Sequence, residues 1–176
     1  MRRKTRITLF VLLTTLFTSI FLCAQNWVSL ALAGQLPEFK TRDELIDEIS
    51  YAHRIDARIV RAIIRVESAD GKALNRFEQA TFNKRSDRNA SQFDKWALST
   101  SHGLMHVMGF NAKWCGLSWY ELYNDKKNLT CGIALLKDCL DKKKGDVTKA
   151  LGCYNGDPVA YPVKVKVALA DIELNK

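Results

Sequence analysis

The chain has 176 residues, 47% of them hydrophobic and 26% charged, which suits one domain with an ordinary core and excludes a disordered or low-complexity protein. The formal net charge is +8. Four of the 27 basic residues and none of the 19 acidic ones lie in the first 33, so the remainder carries +4. That excess suits a long anionic polymer outside the membrane, cell wall included, while the lack of a basic stripe with interleaved aromatics argues against nucleic acid.

Met1 to Arg6 carries Arg2, Arg3, Lys4 and Arg6, and an apolar run from Ile7 to Ala24 follows. This pattern predicts an export signal over residues 1–33, ending at Ala31-Leu32-Ala33, with the functional domain over 34–176. An uncleaved membrane anchor is the other reading, because about 18 apolar residues is near the minimum for a span. Leu22 beside Cys23 argues against a lipoprotein site.

Thr41-Arg42-Asp43-Glu44 is a capping-box pattern, and Leu45, Ile49 and Ala52 follow at helical spacing, predicting a helix to about His53. Asp56 is suited to cap a second helix that stops near Gly71. From Lys72 to Ala97 the chain is polar, with Phe77, Phe82, Phe93 and Trp96 as anchors, and reads as short helical pieces and loop. Gly103 to Val107 is a compact apolar segment, followed by a loop with Trp114, Gly116 and Trp119. Helices are expected over Leu129 to Lys142 and Val147 to Tyr154, before the turn Asn155-Gly156-Asp157-Pro158. In the tail, Val163, Val165 and Val167 alternate as in a strand, but Ala168 to Leu174 fits a helix, so both readings stand. The dominant expectation is an all-α domain.

Beyond the leader stand Cys115, Cys131, Cys139 and Cys153, an even number that favours disulfides and an oxidising compartment such as the periplasm. Two cysteines eight residues apart on one helix are separated by about 12 Å, beyond the ~7 Å that a disulfide spans between Cα atoms. That removes a Cys131–Cys139 pair. Cys139 and Cys153 lie almost symmetrically about a predicted turn at Lys142 to Gly145, which favours Cys139–Cys153 and leaves Cys115–Cys131. Zinc is disfavoured because no two cysteines have CxxC spacing.

Glu67 occupies an odd place on its helix. Arg58, Arg61 and Arg65 share one side, whereas Glu67 falls about 150° away among Ile59, Val60 and Ile63. Burial disfavours the charged form of a carboxyl group, which lets such a group keep a proton to donate, as a glycosidase acid must. The alternative is a glutamate at a fraying helix end that reaches water past Ala69-Asp70-Gly71.

Three segments follow in order: Val66-Glu67-Ser68, Ser101-His102-Gly103-Leu104-Met105-His106-Val107-Met108, and Ala150-Leu151-Gly152-Cys153-Tyr154-Asn155-Gly156. Together with Asn128 to Gly132 they resemble the soluble lytic transglycosylase (SLT) family, whose pattern is Glu-Ser, then Gly-Leu-Met-Gln, then Ala-Tyr-Asn. The resemblance covers roughly Asp56 to Tyr161. It implies a goose-type lysozyme-like helical domain with a saccharide groove, acting on peptidoglycan glycan strands between N-acetylmuramic acid and N-acetylglucosamine. Glu67 would be the catalytic acid and base, closing a 1,6-anhydro ring. Ser68, Tyr154 and Asn155 would match positions around the carboxyl group and the substrate, and Gly103, Leu104, Met105 and His106 would match the groove floor. No metal or cofactor is implied.

Two departures stand out. The family glutamine is here His106, and 36 residues separate Glu67 from Gly103, more than in the commonest family form. The added segment contains Arg76-Phe77-Glu78, which with Met108 to Asn111 resembles some phage and plasmid muramidases. Glu78, or else Asp87 or Asp94, is then a candidate second acid for hydrolysis. His102 and His106 stand four apart, but Gly103 interrupts a shared helix face and weakens a zinc reading. Trp96, Trp114, Trp119 and Tyr123 could stack on sugar rings. No Gly-x-Ser-x-Gly elbow is present for a serine hydrolase. The expectation is therefore an exported, monomeric, periplasmic lytic transglycosylase, serving an envelope-spanning secretion or conjugation machine. A hydrolytic muramidase and a non-catalytic glycan-binding assembly protein are the competing readings.

Overall fold

The computed structural model describes residues 40–84 and 91–175. The expected leader with Cys23, and the candidate acid Asp87, lie outside the described residues.

Helix α1, Arg42–Ala52, begins where the capping box places it: the Thr41 hydroxyl accepts from the Glu44 amide, and Glu44 Oε2 accepts from the Thr41 amide at 2.6 Å. It buries Ile46 and Ile49. Helix α2, Ala57–Ser68, is capped by Asp56, whose Oδ1 accepts from the Arg58 amide at 2.9 Å. Val60, Ile63 and Ile64 on its inner face are buried, while Arg61 on the outer face pairs with Asp43 and Asp47 of α1. The helix stops abruptly because Ala69, Asp70 and Gly71 all take left-handed backbone angles. Two non-glycine residues in that region are costly, and Arg42 braces the turn by donating to the Asp70 carbonyl at 3.2 Å.

The segment expected as helical pieces and loop holds β1, Asn75–Phe77, then α3, Gln79–Lys84, and α4, Gln92–Leu98. Strand β2, Thr100–His102, pairs antiparallel with β1, placing Arg76 opposite Ser101. Strand β3, Val107–Met108, pairs on the other side of β2, placing Ser101 opposite Met108. This small sheet sits within a mostly helical domain; its strands of two or three residues are too short to show alternation, and the buried β2 is Thr-Ser-His. The turn between β2 and β3 is tied to the next helix by a side chain. Asn128 Oδ1 accepts from the Met105 amide and its Nδ2 donates to the His102 carbonyl, each at 2.8 Å.

After β3 come the one-turn α5, Gly109–Ala112, and 3₁₀ turns over Lys113–Cys115 and Trp119–Tyr123. Helix α6, Asp125–Lys142, starts on the Asn124 cap and buries Leu129, Ile133 and Leu136. It folds back on α7, Val147–Asn155, which Asp146 caps. Disulfide Cys139–Cys153 crosses this hairpin with Cα atoms 5.8 Å apart, and Cys115–Cys131 ties the preceding loop to α6 with Cα atoms 5.6 Å apart. Both pairs are those expected from the sequence.

Helix α8, Ala160–Leu174, settles the open reading of the tail in favour of helix. The deciding stripe is Tyr161, Val165 and Ala168, which are buried, whereas Val163 and Val167 face water. Helix α8 packs chiefly on α2, and α6 packs on α7 and α1. The domain is thus mostly helical, and its core lies between α2, α6, α8 and the Leu104-Met105 turn.

Candidate active site

An open groove of about 580 Å³ lies where the end of α2, the sheet, α5, α6 and the end of α7 meet. Glu67 stands in the last turn of α2 and lines it. Its side chain is only 4% exposed, so the carboxyl does not fray into bulk water. The abrupt left-handed exit at Ala69 carries the chain away from it.

Three elements surround this carboxyl group. From the end of α7, Asn155 Nδ2 donates to Glu67 Oε1 at 3.3 Å. From the turn before β3, His106 Nδ1 faces Glu67 Oε2 at 3.4 Å, while its Nε2 lies 2.8 Å from the Ala73 carbonyl oxygen. From the start of α8, the buried Tyr161 hydroxyl sits beside Glu67. Burial, and after it the Glu67 charge, pushes the Tyr161 phenol far up, so it stays neutral and can only act as a hydroxyl. Tyr154 is raised by the same two causes, and its hydroxyl donates to the Met105 carbonyl at 2.8 Å. Tyr154 therefore ties α7 to the turn that carries His106.

Of the residues singled out in the sequence, Glu67, Glu78, His106, Tyr154 and Asn155 line one groove. Ser68, Gly103, Leu104 and Met105 do not line it. Ser68 is fully buried; its hydroxyl donates to the Ile64 carbonyl and accepts from the Gly71 amide, shaping the exit of α2. Leu104 and Met105 are core residues. At Gly103, φ is +75°, and an added Cβ would lie 2.1 Å from Asn128 Nδ2. The glycine makes room for Asn128 there.

Glu78 follows β1, with its amide donating to the Ser99 carbonyl at 2.9 Å, and its Oε1 accepts from Arg76 Nε at 2.7 Å. Asp94 does not line the groove and instead accepts from the Ser91 hydroxyl at the start of α4. Trp96, Trp114, Trp119 and Tyr123 also stay outside it. Trp119 and Tyr123 pack on His102, whose Nε2 donates to the Ala97 carbonyl at 2.9 Å. His102 and His106 thus serve different partners and do not converge.

Two contributors escaped the sequence reading. Phe110, an aromatic lining the groove, lies in the Met108–Asn111 segment, where the sequence shows only a motif. Tyr161 had no signal at all beyond its place at the head of the tail. The arrangement is a shielded carboxyl group in an open cleft, with one amide donor, one imidazole and one phenol aimed at it. Such a group can give a proton to a bound substrate and take one back.

In comparison with known proteins, the family model described as "Transglycosylase SLT domain" matches residues 44–164. No curated protein and no solved structure matches the chain. The match runs from α1 into α8 and takes in every groove element; the chain belongs to the SLT transglycosylase family, and with it to the peptidoglycan transglycosylase type of enzyme.

Proposed function

We propose that the protein is an exported lytic transglycosylase that cuts peptidoglycan between N-acetylmuramic acid and N-acetylglucosamine, with Glu67 as its acid and base. The observation that carries this is the single shielded carboxyl group of Glu67 on the open groove, with Asn155 donating to it. Glu67 donates its proton to the departing glycosidic oxygen as the C1–O bond breaks. The same carboxylate then takes the proton of the muramoyl C6 hydroxyl, and O6 bonds to C1 to give the 1,6-anhydro ring. The chemistry is balanced without water and requires one carboxyl group. Asn155 orients that group, Tyr161 offers a neutral hydroxyl beside it, and Tyr154 fixes the facing turn.

Two disulfides support export to an oxidising compartment, the periplasm in this reading. Local opening of the wall for an envelope-spanning secretion or conjugation machine belongs to the same proposal. Its test is loss of that machine's output on Glu67→Gln replacement in the cell, with growth retained.

Glu78 favours a second reading, hydrolysis, because it lines the same groove as Glu67. Held by Arg76, it would position a water molecule as base. Muropeptide release from purified peptidoglycan by the wild type, Glu67→Gln and Glu78→Gln separates these readings. The transglycosylase loses release with Glu67→Gln alone, a hydrolase loses it with either change, and a glycan-binding protein releases nothing while still sedimenting with the wall.

A further inference from the structure

His106 is where this chain departs from its family's pattern, and its surroundings define its protonation. The Ala73 carbonyl oxygen 2.8 Å from Nε2 can only accept, so Nε2 carries hydrogen in every state of the ring. In the neutral imidazole Nδ1 is then a bare lone pair, and it bears hydrogen only in the cation. Among the described residues Nδ1 is buried without a hydrogen-bond partner, and the side chain is 4% exposed. It faces Glu67 Oε2, equally shielded, at 3.4 Å. A lone pair against a carboxylate oxygen away from water is repulsive, and one proton between them removes the repulsion from either side. A glutamine cannot take up that proton.

We propose that Glu67 and His106 share a single proton, with His106 as the positioning residue that keeps the acid loaded at neutral pH. This rests on the reading of Glu67 as the proton donor. A free glutamate loses its proton at about pH 4.3, whereas a free imidazole keeps one to about pH 6.5. The shared proton leaves to the glycosidic oxygen, giving carboxylate and neutral imidazole, and the C6 hydroxyl proton returns to the pair as O6 bonds to C1. His106 has a left-handed backbone, φ +45°, and histidine is among the residues enriched there.

The other ionisable groups around the pair are Tyr154 of α7, Tyr161 of α8, Arg76 of β1 with Glu78, Asp138 of α6, Asp157 after α7, and His102 of β2. Burial holds both phenols neutral by pushing them up and holds His102 neutral by pushing it down. Arg76 and Glu78 offset each other.

The test is nuclear magnetic resonance of the His106 ring in the ¹⁵N-labelled full chain, titrated in the wild type and in Glu67→Gln. The expected result is an Nε2–H tautomer at high pH and a ring midpoint about one pH unit or more higher in the wild type than in the variant. Equal midpoints, or an Nδ1–H tautomer, overturn the proposal whether or not the protein cuts peptidoglycan. In the activity arm, His106→Gln loses muropeptide release progressively as pH rises, about tenfold more near pH 8 than near pH 5.5. A loss of the same size at every pH marks a structural contact and overturns the sharing. Wild-type protein that releases nothing overturns the functional reading instead, and the ring midpoints still decide this one.

Discussion

The α6–α7 hairpin and the three-stranded sheet flank the same groove but are held in opposite ways. The hairpin is covalent and regular: Cys139–Cys153 crosses it, Asp146 caps its second helix, and Leu129, Ile133 and Leu136 form an unbroken inner stripe. The sheet has few ladder bonds and depends on a polar insertion, with buried Asn128 reaching from α6 to the backbone of His102 and Met105. The difference teaches where precision is needed. Asn155 comes to Glu67 from the end of a disulfide-locked helix, whereas His106 comes from a turn that only hydrogen bonds define.

The sharpest way to break the contrast is to remove the lock. Replacing both Cys139 and Cys153 by serine is expected to cost about 3 kcal/mol, because the bond closes a loop of about 15 residues in the unfolded chain. Denaturant unfolding checks the loss, and muropeptide release is expected to persist below the new midpoint, since the helical stripe remains.

Asn128→Ala attacks the other side. It leaves the buried Met105 amide and His102 carbonyl without their partners, for an expected loss of about 2 kcal/mol. Here activity should fall further than the folded fraction does, because the turn carrying His106 loses its anchor. Equal losses of activity and folded protein would show that the sheet is as self-sufficient as the hairpin.

A smaller effect comes from pH. Burial holds His102 below the usual histidine range, against the raising influence of its bond to the Ala97 carbonyl. Its folded-state value is therefore lower than its unfolded one, near 6.5. The unfolded chain binds the extra proton in that window, so this stability is fully present above about pH 6.5 and falls as pH drops toward the folded value. Thermal midpoints measured from about pH 7.5 down to 5 should decline, and His102→Gln should flatten that decline.

The same contrast explains what could be read from the sequence. The hairpin was legible because caps, an apolar stripe and the rise of a helix are local, so even the cysteine pairing followed from spacing. Glu67 was legible because its angle on α2 set it among apolar residues. The sheet was not, since its strands are too short to alternate and Asn128 gave no sign that it would complete a turn 26 residues away. Alternation at Val163, Val165 and Val167 suggested a strand, but the packing of α8 on α2 selects the Tyr161, Val165 and Ala168 stripe instead. Tyr161 reaches Glu67 through that packing alone, which no motif encodes. At Gly103 the crowding by Asn128 is likewise a matter of packing that the sequence does not display.

The central claim is that one shielded carboxyl group performs both proton transfers without water. Mass spectrometry of muropeptides released from purified peptidoglycan tests it most directly, with wild type beside Glu67→Gln. The account predicts wild-type products one water lighter than reducing muropeptides, and a release rate lower by roughly 10³-fold in a Glu67→Gln protein that melts normally. Reducing ends in the wild-type products, or undiminished release by Glu67→Gln, would contradict it.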